Sequence, residues 1–117
     1  MISTFELGNN VVGLIINRDI EKGNLEEVHK IILKRISESG KINIFCEIAQ
    51  DKNVAFKCLM EELSFRHDNS NNIDKLAIVT DLSWLRGVMN INDFMVHTEI
   101  RSFEIKDRLE AIQWISD

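Results

Sequence analysis

Proline is absent from the sequence, and no low-complexity tract, internal repeat or linker-like stretch occurs. No apolar run approaches the roughly 20 residues that a membrane-spanning helix requires. The first ten residues, MISTFELGNN, do not form a basic segment followed by an apolar one, so no signal peptide is visible. For a chain of 117 residues, these absences predict one domain over residues 1–117 and a cytoplasmic location.

Basic residues are fewer than acidic residues. Lysine and arginine number 14 against 19 aspartate and glutamate residues, which gives a net charge of −5 at pH 7. Non-specific binding to nucleic acid needs a concentrated positive surface, so this balance argues against a nucleic-acid partner. Apolar residues make up 44% and charged residues 28%, a composition typical of a globular protein rather than a disordered one.

Residues that bind metals, cofactors or phosphate are sparse. Cys46 and Cys58 fall in separate predicted elements without metal-ligand spacing, so we interpret both as small buried hydrophobic residues. The five glycines are scattered singly, and neither glycine-rich phosphate-binding motif occurs. The histidines, His29, His67 and His97, form no pair at ligand spacing. The sequence therefore predicts no cofactor.

Five short segments are typical of strands. Gly8, Asn9 and Asn10 separate STFEL from VVGLIIN, which predicts a hairpin whose half-polar first strand suits a sheet edge. INIFCEI and LAIVT are rich in apolar residues and predict buried strands. A last strand is expected from Thr98 to Ile105.

Two helices are predicted in the first two thirds of the chain. The first begins at Asn24, where Glu27 completes a capping-box pattern, and ends before Gly40. The second extends from about Asn53 to Arg66. Apolar residues recur at helical spacing in both: Leu25, Val28, Ile32, Ile36, Phe56, Leu59, Met60 and Leu63.

Two further helices are predicted near the C-terminal end. One is the short segment SWLRGVMNI. The other begins at Asp107, where Glu110 gives another capping-box pattern, and its spacing predicts that Leu109, Ile112 and Ile115 face inward.

The resulting order of elements is β-β-α-β-α-β-α-β-α. Strands that alternate with helices of about 12 residues imply right-handed crossovers between parallel strands. The first strand of the hairpin would run antiparallel to its neighbour. The predicted fold class is α/β, with a mostly parallel five-stranded sheet, an antiparallel edge strand and flanking helices.

Two motifs in the C-terminal half, KLAIVTDLSWLRG and TEIRSFEIKDRLEAIQWI, resemble the SpoIIAA-like family of STAS-like proteins. The matching positions are Asp81, Trp84, Glu99, Ile100, Arg101, Phe103, Ala111 and Trp114. The resemblance covers roughly residues 75–116 as sequence and the whole chain as element order. It implies a STAS fold, which anti-anti-sigma factors use to bind a partner kinase. The family is also compared with lipid-binding CRAL-TRIO domains, which implies a hydrophobic ligand.

The loop after the third strand departs from the regulatory STAS pattern. Regulatory STAS domains carry a phosphorylatable Ser or Thr after Asp at the start of the next helix. Here the loop is AQDKNVAF, in which Lys52, Asn53 and Val54 follow Asp51. Because no hydroxyl is present, we predict no phosphorylation at this position, which argues against an anti-anti-sigma role.

Polar side chains follow several of the predicted strands, at the edge where open α/β sheets bind ligands. These residues are Asn17, Arg18, Asp19, Gln50, Asp51, Asn53, Asp81 and Ser83. Asp19, Asp51 and Asp81 would converge there and suit a divalent cation, which would support an enzyme. Aspartate is also common at helix starts, where it accepts backbone N–H bonds, and this local role is the one we expect.

Ser83 is the candidate nucleophile of this edge. A nucleophilic serine needs an adjacent base and an oriented third group, and neither a histidine constellation nor a G-x-S-x-G elbow accompanies it. We therefore predict that Ser83 caps a helix, that the chain has no catalytic residue and that it is not an enzyme.

The helix that begins near Trp84 is apolar for its length. One interpretation is that it covers a sheet edge, and another is that it forms the lid of an apolar pocket, as a lipid carrier needs. Phe94 and Met95 would then lie in the hinge. Trp114 is expected in the core or in a dimer contact.

Together these patterns predict a non-catalytic STAS-like binding or regulatory module that acts through a protein partner or a small apolar ligand. A carrier of lipids or other hydrophobic ligands is the alternative. An exposed sheet edge or apolar helix would also favour a homodimer. The candidate ligand-binding residues are Asp51, Asn53, Asp81, Ser83, Trp84, Leu85, Val88 and Met89.

Overall fold

Five strands form one mixed sheet in the order β1-β2-β3-β4-β5. They are Ile2–Glu6 (β1), Val11–Ile16 (β2), Ile42–Ile48 (β3), Ile73–Val79 (β4) and Glu99–Phe103 (β5). The computed structural model describes residues 2–8, 10–21, 24–54, 70–92 and 98–117. β1 pairs antiparallel with β2, and the other neighbours pair parallel. The predicted α/β sheet with an antiparallel edge strand is confirmed.

Three α-helices flank the sheet. They are Asn24–Ser39 (α1), Ser83–Asn92 (α2) and Arg108–Ser116 (α3), and short 3₁₀ turns at Ser70–Asn72 and Ile105–Asp107 precede β4 and α3. None of these helices is long and apolar enough to cross a membrane. Several predictions concern residues outside the described ranges: the helix from Asn53 to Arg66 beyond Val54, Cys58, His67, Phe94, Met95 and His97.

Each face of the sheet carries its own core. On one face Leu14 of β2 packs in a cluster with Leu85 and Met89 of α2 and with residues of α1. On the other face Phe45 of β3 packs in a cluster with Ile115 of α3. Right-handed crossovers between sequential parallel strands place their helices on one face, which explains why α1 and α2 lie together. α3 follows the last strand and covers the opposite face.

The start of α3 differs from the prediction. Asp107 occupies the N-cap position, but its side chain makes no capping hydrogen bond, so the predicted capping box is wrong. The backbone N–H of Asp107 instead donates to Glu104 O at 2.9 Å, within the 3₁₀ turn that orders this approach. Leu109 is 80% exposed, so its predicted inward orientation is also wrong. At about 100° per residue, Leu109 lies about 160° around the helix from the buried Ala111.

An aromatic ring covers part of the sheet that α3 does not reach. Phe5 of β1 lies opposite Gly13 of β2. A Cβ atom on Gly13 would lie 2.6 Å from the Cε2 and Cζ atoms of the Phe5 ring. The same ring meets Phe45 edge-on, with the ring centroids 5.8 Å apart. Gly13 therefore lets the Phe5 ring lie directly against the backbone of β2.

We expect Gly13→Ala to lower the free energy of unfolding by about 1–3 kcal/mol, because the added methyl group overpacks the site under Phe5. Gly87→Ala is the matched control. Gly87 lies inside α2 with no atom within 4 Å of an added Cβ, so the change should stabilise the helix by roughly 0.5–1 kcal/mol. Urea unfolding measures both, and a Gly13→Ala midpoint equal to that of the wild type would contradict the packing described.

Candidate functional site at the carboxyl rim

A cleft of about 430 Å³ opens at the carboxyl ends of β3 and β4. Ligands of open α/β sheets bind at this edge. The structure brings together Asp51, Asn53 and Asp81, three of the residues predicted to bind a ligand, around this cleft. The described residues that line it are Ala49, Gln50, Asp51, Lys52, Asn53, Thr80, Asp81 and Leu82.

The loop after β3 is fixed by the loop after β2. Asp19 Oδ1 accepts a hydrogen bond from the backbone N–H of Asn53 at 2.9 Å. In return, the N–H of Ile20 donates to Asn53 O at 2.8 Å. Ile20 and Val54 also form a short parallel bridge. One wall of the cleft is therefore tied to its neighbouring loop by both backbone and side chain.

The loop after β4 is fixed in the same way by the loop after β5. Asp81 Oδ1 accepts a hydrogen bond from the backbone N–H of Ile105 at 3.0 Å. Arg86 Nη1 donates to Thr80 O at 2.8 Å, and Arg86 Nη2 lies 3.8 Å from Glu104 Oε1. The second wall of the cleft is therefore joined to the turn that leads into α3.

Asp19 and Asp81 accept backbone N–H bonds, as predicted, but the donors lie in distant segments, so the predicted local capping role is wrong for these bonds. Asp19 bonds to a residue 34 positions away and Asp81 to one 24 positions away. Asp51 differs, because it is exposed and has φ = 67°, in the left-handed region that aspartate tolerates better than most residues. Within the described ranges, no three His, Cys, Asp or Glu side chains are placed to hold a metal ion.

The hydroxyl that orders the start of α2 belongs to Thr80. Arg86 N donates to Leu82 O at 3.2 Å, which makes Leu82 the N-cap residue and Ser83 the first helical residue. Thr80 Oγ1 accepts the N–H of Leu82 at 3.1 Å, and Thr80 is 1% exposed. The prediction that Ser83 is the cap is therefore wrong. A threonine hydroxyl can form such a turn by bonding to the backbone two residues further on.

The apolar residues of α2 serve different purposes. Leu85 and Met89 are 3% and 2% exposed and belong to the core, and Val88 packs partly buried against it. Trp84 is 41% exposed, and Ser83 beside it is exposed as well. Thus the predicted ligand-binding residues of α2 do not line the rim cleft with Asp51, Asn53 and Asp81.

An ion pair that the sequence patterns did not predict lies close to the rim. Glu47 of β3 is 5% exposed, and its carboxylate accepts hydrogen bonds from Arg108 Nε and, at 2.8 Å, Arg108 Nη2. This hydrogen bonding, together with the negative charge of Glu47, raises the pKa of the Arg108 guanidinium. One feature of the sequence could have indicated this ion pair: a single glutamate lies within the apolar strand INIFCEI. A carboxylate buried in such a strand needs a cation nearby.

His29 and Cys46 are the described histidine and cysteine, and the sequence predicted neither as a reactive group. His29 is half-buried in α1; burial lowers its pKa, and the nearby Glu26 carboxylate opposes that shift. Cys46 is 8% exposed within the core of the α1 face, which agrees with its predicted role as a small buried hydrophobic residue. Neither residue lines the cleft.

Removing either bridging carboxylate should loosen the rim. We expect Asp19→Ala and Asp81→Ala each to lower the free energy of unfolding by about 1 kcal/mol, because each leaves a loop N–H without its acceptor. Asp51→Asn is the control, and we expect a change within about 0.5 kcal/mol for this exposed position. Urea unfolding of the three variants measures these free energies. A loss of stability in Asp51→Asn alone would contradict the prediction.

Substituting Arg108 should lower the free energy of unfolding more than substituting Glu47. Arg108→Met leaves the buried Glu47 carboxylate without its cation and should lower the free energy of unfolding by about 2–4 kcal/mol. Glu47→Gln should cost about 1–2 kcal/mol, because the Arg108 side chain is 50% exposed and can turn to water. Chemical unfolding of both variants tests this order. A larger loss for Glu47→Gln would show that the pair is not stabilised as described.

Comparisons with known proteins agree with this architecture. A family model described as SpoIIAA-like matches residues 11–116. A solved structure of an uncharacterised protein from the DUF3478 family of Shewanella loihica PV-4, described as having a SpoIIAA-like fold, is similar with a TM-score of 0.70. The match covers 98% of this chain and 92% of that chain at 9% sequence identity, so it is evidence for the fold alone. A search of curated proteins found no match.

Proposed function

We propose that this chain, which belongs to the SpoIIAA-like family, is a non-catalytic binding module that engages a protein partner through the carboxyl rim of its sheet. The observation that carries the proposal is the pre-ordered cleft between two pairs of loops, one joined by Asp19 and the other by Asp81. A surface that is ordered before binding loses less conformational entropy when the complex forms.

The chemical groups near the rim favour binding over catalysis. The carboxylates of Asp19 and Asp81 accept backbone hydrogen bonds, and the Glu47 carboxylate is held by Arg108. General acid–base chemistry needs a group that is available to the reacting atoms. These acids instead hold the structure that surrounds the cleft.

The polarity of the cleft favours a protein partner over a lipid. Gln50, Asp51, Lys52 and Asn53 contribute amide and charged groups to its lining, whereas pockets for apolar ligands are lined mainly by hydrophobic side chains. Opening α2 as a lid would expose Leu85 and Met89, at a cost of about 1.5–3 kcal/mol for each side chain. For these two reasons we propose a protein partner first and keep the lipid carrier as the alternative.

A photo-crosslinking experiment in the native cells tests the proposal. A photo-reactive phenylalanine analogue at position 50, where Gln50 is exposed on the rim, should capture a discrete protein. The same analogue at position 41, where Lys41 is exposed just before β3 and at the other end of the sheet, is the matched control and should not capture that protein. Asp51→Arg should weaken binding of the captured protein by about tenfold, or ~1.4 kcal/mol.

Two results would count against the proposal. One is equal capture from both positions, because a partner that docks on the rim cannot contact the opposite end of the sheet equally. The other is a lipid-sized adduct in native mass spectrometry together with no capture at position 50, which would support the carrier instead.

A further inference from the structure

β1 is an edge strand of the sheet. In the part of the chain that the structure describes, Ile2–Glu6 pairs only with β2. In an antiparallel pair, alternate backbone N–H and C=O groups of an edge strand point away from the sheet and remain available to another strand. We infer that β1 pairs antiparallel with β1 of a second copy of this chain, and that two sheets thereby join into one with ten strands.

β1 itself lacks three of the features that normally prevent such pairing: lysine, proline and a bulge. Natural edge strands are protected by lysine, proline, a bulge or a covering segment. β1 contains no proline and no basic residue, and its register with β2 runs without a bulge. Its one charged residue, Glu6, forms an ion pair with Arg35 of α1. The edge therefore presents no uncompensated charge to an incoming strand.

Charge and symmetry favour β1 as the partner strand. In a two-fold pairing centred on Thr4, each Thr4 lies opposite the other, Ser3 lies opposite Phe5, and Ile2 lies opposite Glu6 of the second copy. No like charges face one another in this register, and threonine pairs are favourable between antiparallel strands.

The other sheet edge does not offer the same fit. A corresponding two-fold pairing of β5 would place Arg101, its central residue, opposite Arg101 of the second copy. Like charges directly opposite each other destabilise a strand pair. Pairing β1 with β5 would be head-to-tail and could continue into an open assembly, whereas pairing β1 with itself closes after two copies.

Side-chain exposure near the edge agrees with this arrangement. α3 packs mainly on β3, β4 and β5, and on the same face Phe5 and Ile15 remain only partly buried. In the dimer, Ser3 of the second copy would lie beside each Phe5 ring. The inference depends on β1 and not on the rim, so it can be tested independently of the proposed function.

Sedimentation between about 1 µM and 500 µM protein tests the dimer. The average mass of the wild type should rise towards twice the chain mass. Thr4→Lys places two like charges at the two-fold axis and should raise the dimer Kd at least about tenfold. Thr4→Val is the matched control and should leave the Kd within about threefold of the wild type. Thr4 is exposed, so both variants should keep the fold.

A wild type that stays monomeric over this range would overturn the inference, and so would a dimer that Thr4→Lys does not weaken. Circular dichroism verifies that the variants are folded. If Thr4→Lys does not fold, hydrogen exchange of the wild type decides the question. Amides of β1 should become more protected as the protein concentration rises, and unchanged protection would overturn the inference.

Discussion

Two aspartate carboxylates accept hydrogen bonds from backbone N–H groups of neighbouring loops, and these bonds hold the rim of this protein in place. Loops after parallel strands are connected to the sheet only at their own ends, so their relative positions need additional contacts. Asp19 supplies one such contact to Asn53, and Asp81 supplies another to Ile105. The cleft exists because these two loop pairs stand apart from each other. The bonds that shape the cleft engage the carboxylates of Asp19 and Asp81, whereas Asp51 lies exposed in the lining.

The sheet beneath the rim is covered unequally on its two faces. α1 and α2 share one face because their strands are sequential neighbours, and α3 covers only part of the other. Where α3 ends, the Phe5 ring covers Gly13 and contacts Phe45. Within the described ranges, β1 remains an edge strand that pairs with β2 alone, and its one charged residue, Glu6, is paired with Arg35. Partner binding at the rim and self-association at the edge would therefore use separate surfaces.

Most of the sheet could be predicted from sequence, because burial on both faces requires continuous apolar runs in β2 and β3. β4 begins at Ile73, three residues before the predicted LAIVT, because Asp74 and Lys75 interrupt the apolar pattern. The register with β3 shifts at the same point, where Ile73 pairs with Ile42 and Lys75 with Asn43. In α3 the predicted inward position of Ile115 is confirmed and Ile112 packs partly buried against the core, whereas Leu109 faces outward because Ala111 and Ile115 define the buried face. The positions of the rim aspartates were predictable. Their bonding partners were not, because those contacts join residues far apart in sequence.

The most direct test of a pre-ordered rim is native-state hydrogen exchange, measured by NMR, at the amides of Asn53 and Ile105. If the aspartate carboxylates hold the loops, both amides exchange more slowly than unstructured peptide, and Asp19→Ala abolishes this protection at Asn53 while Ile105 keeps it. Exchange of both amides at the rate of unstructured peptide in the wild type would mean that the rim is not pre-ordered, and the proposed docking surface would lose its physical basis.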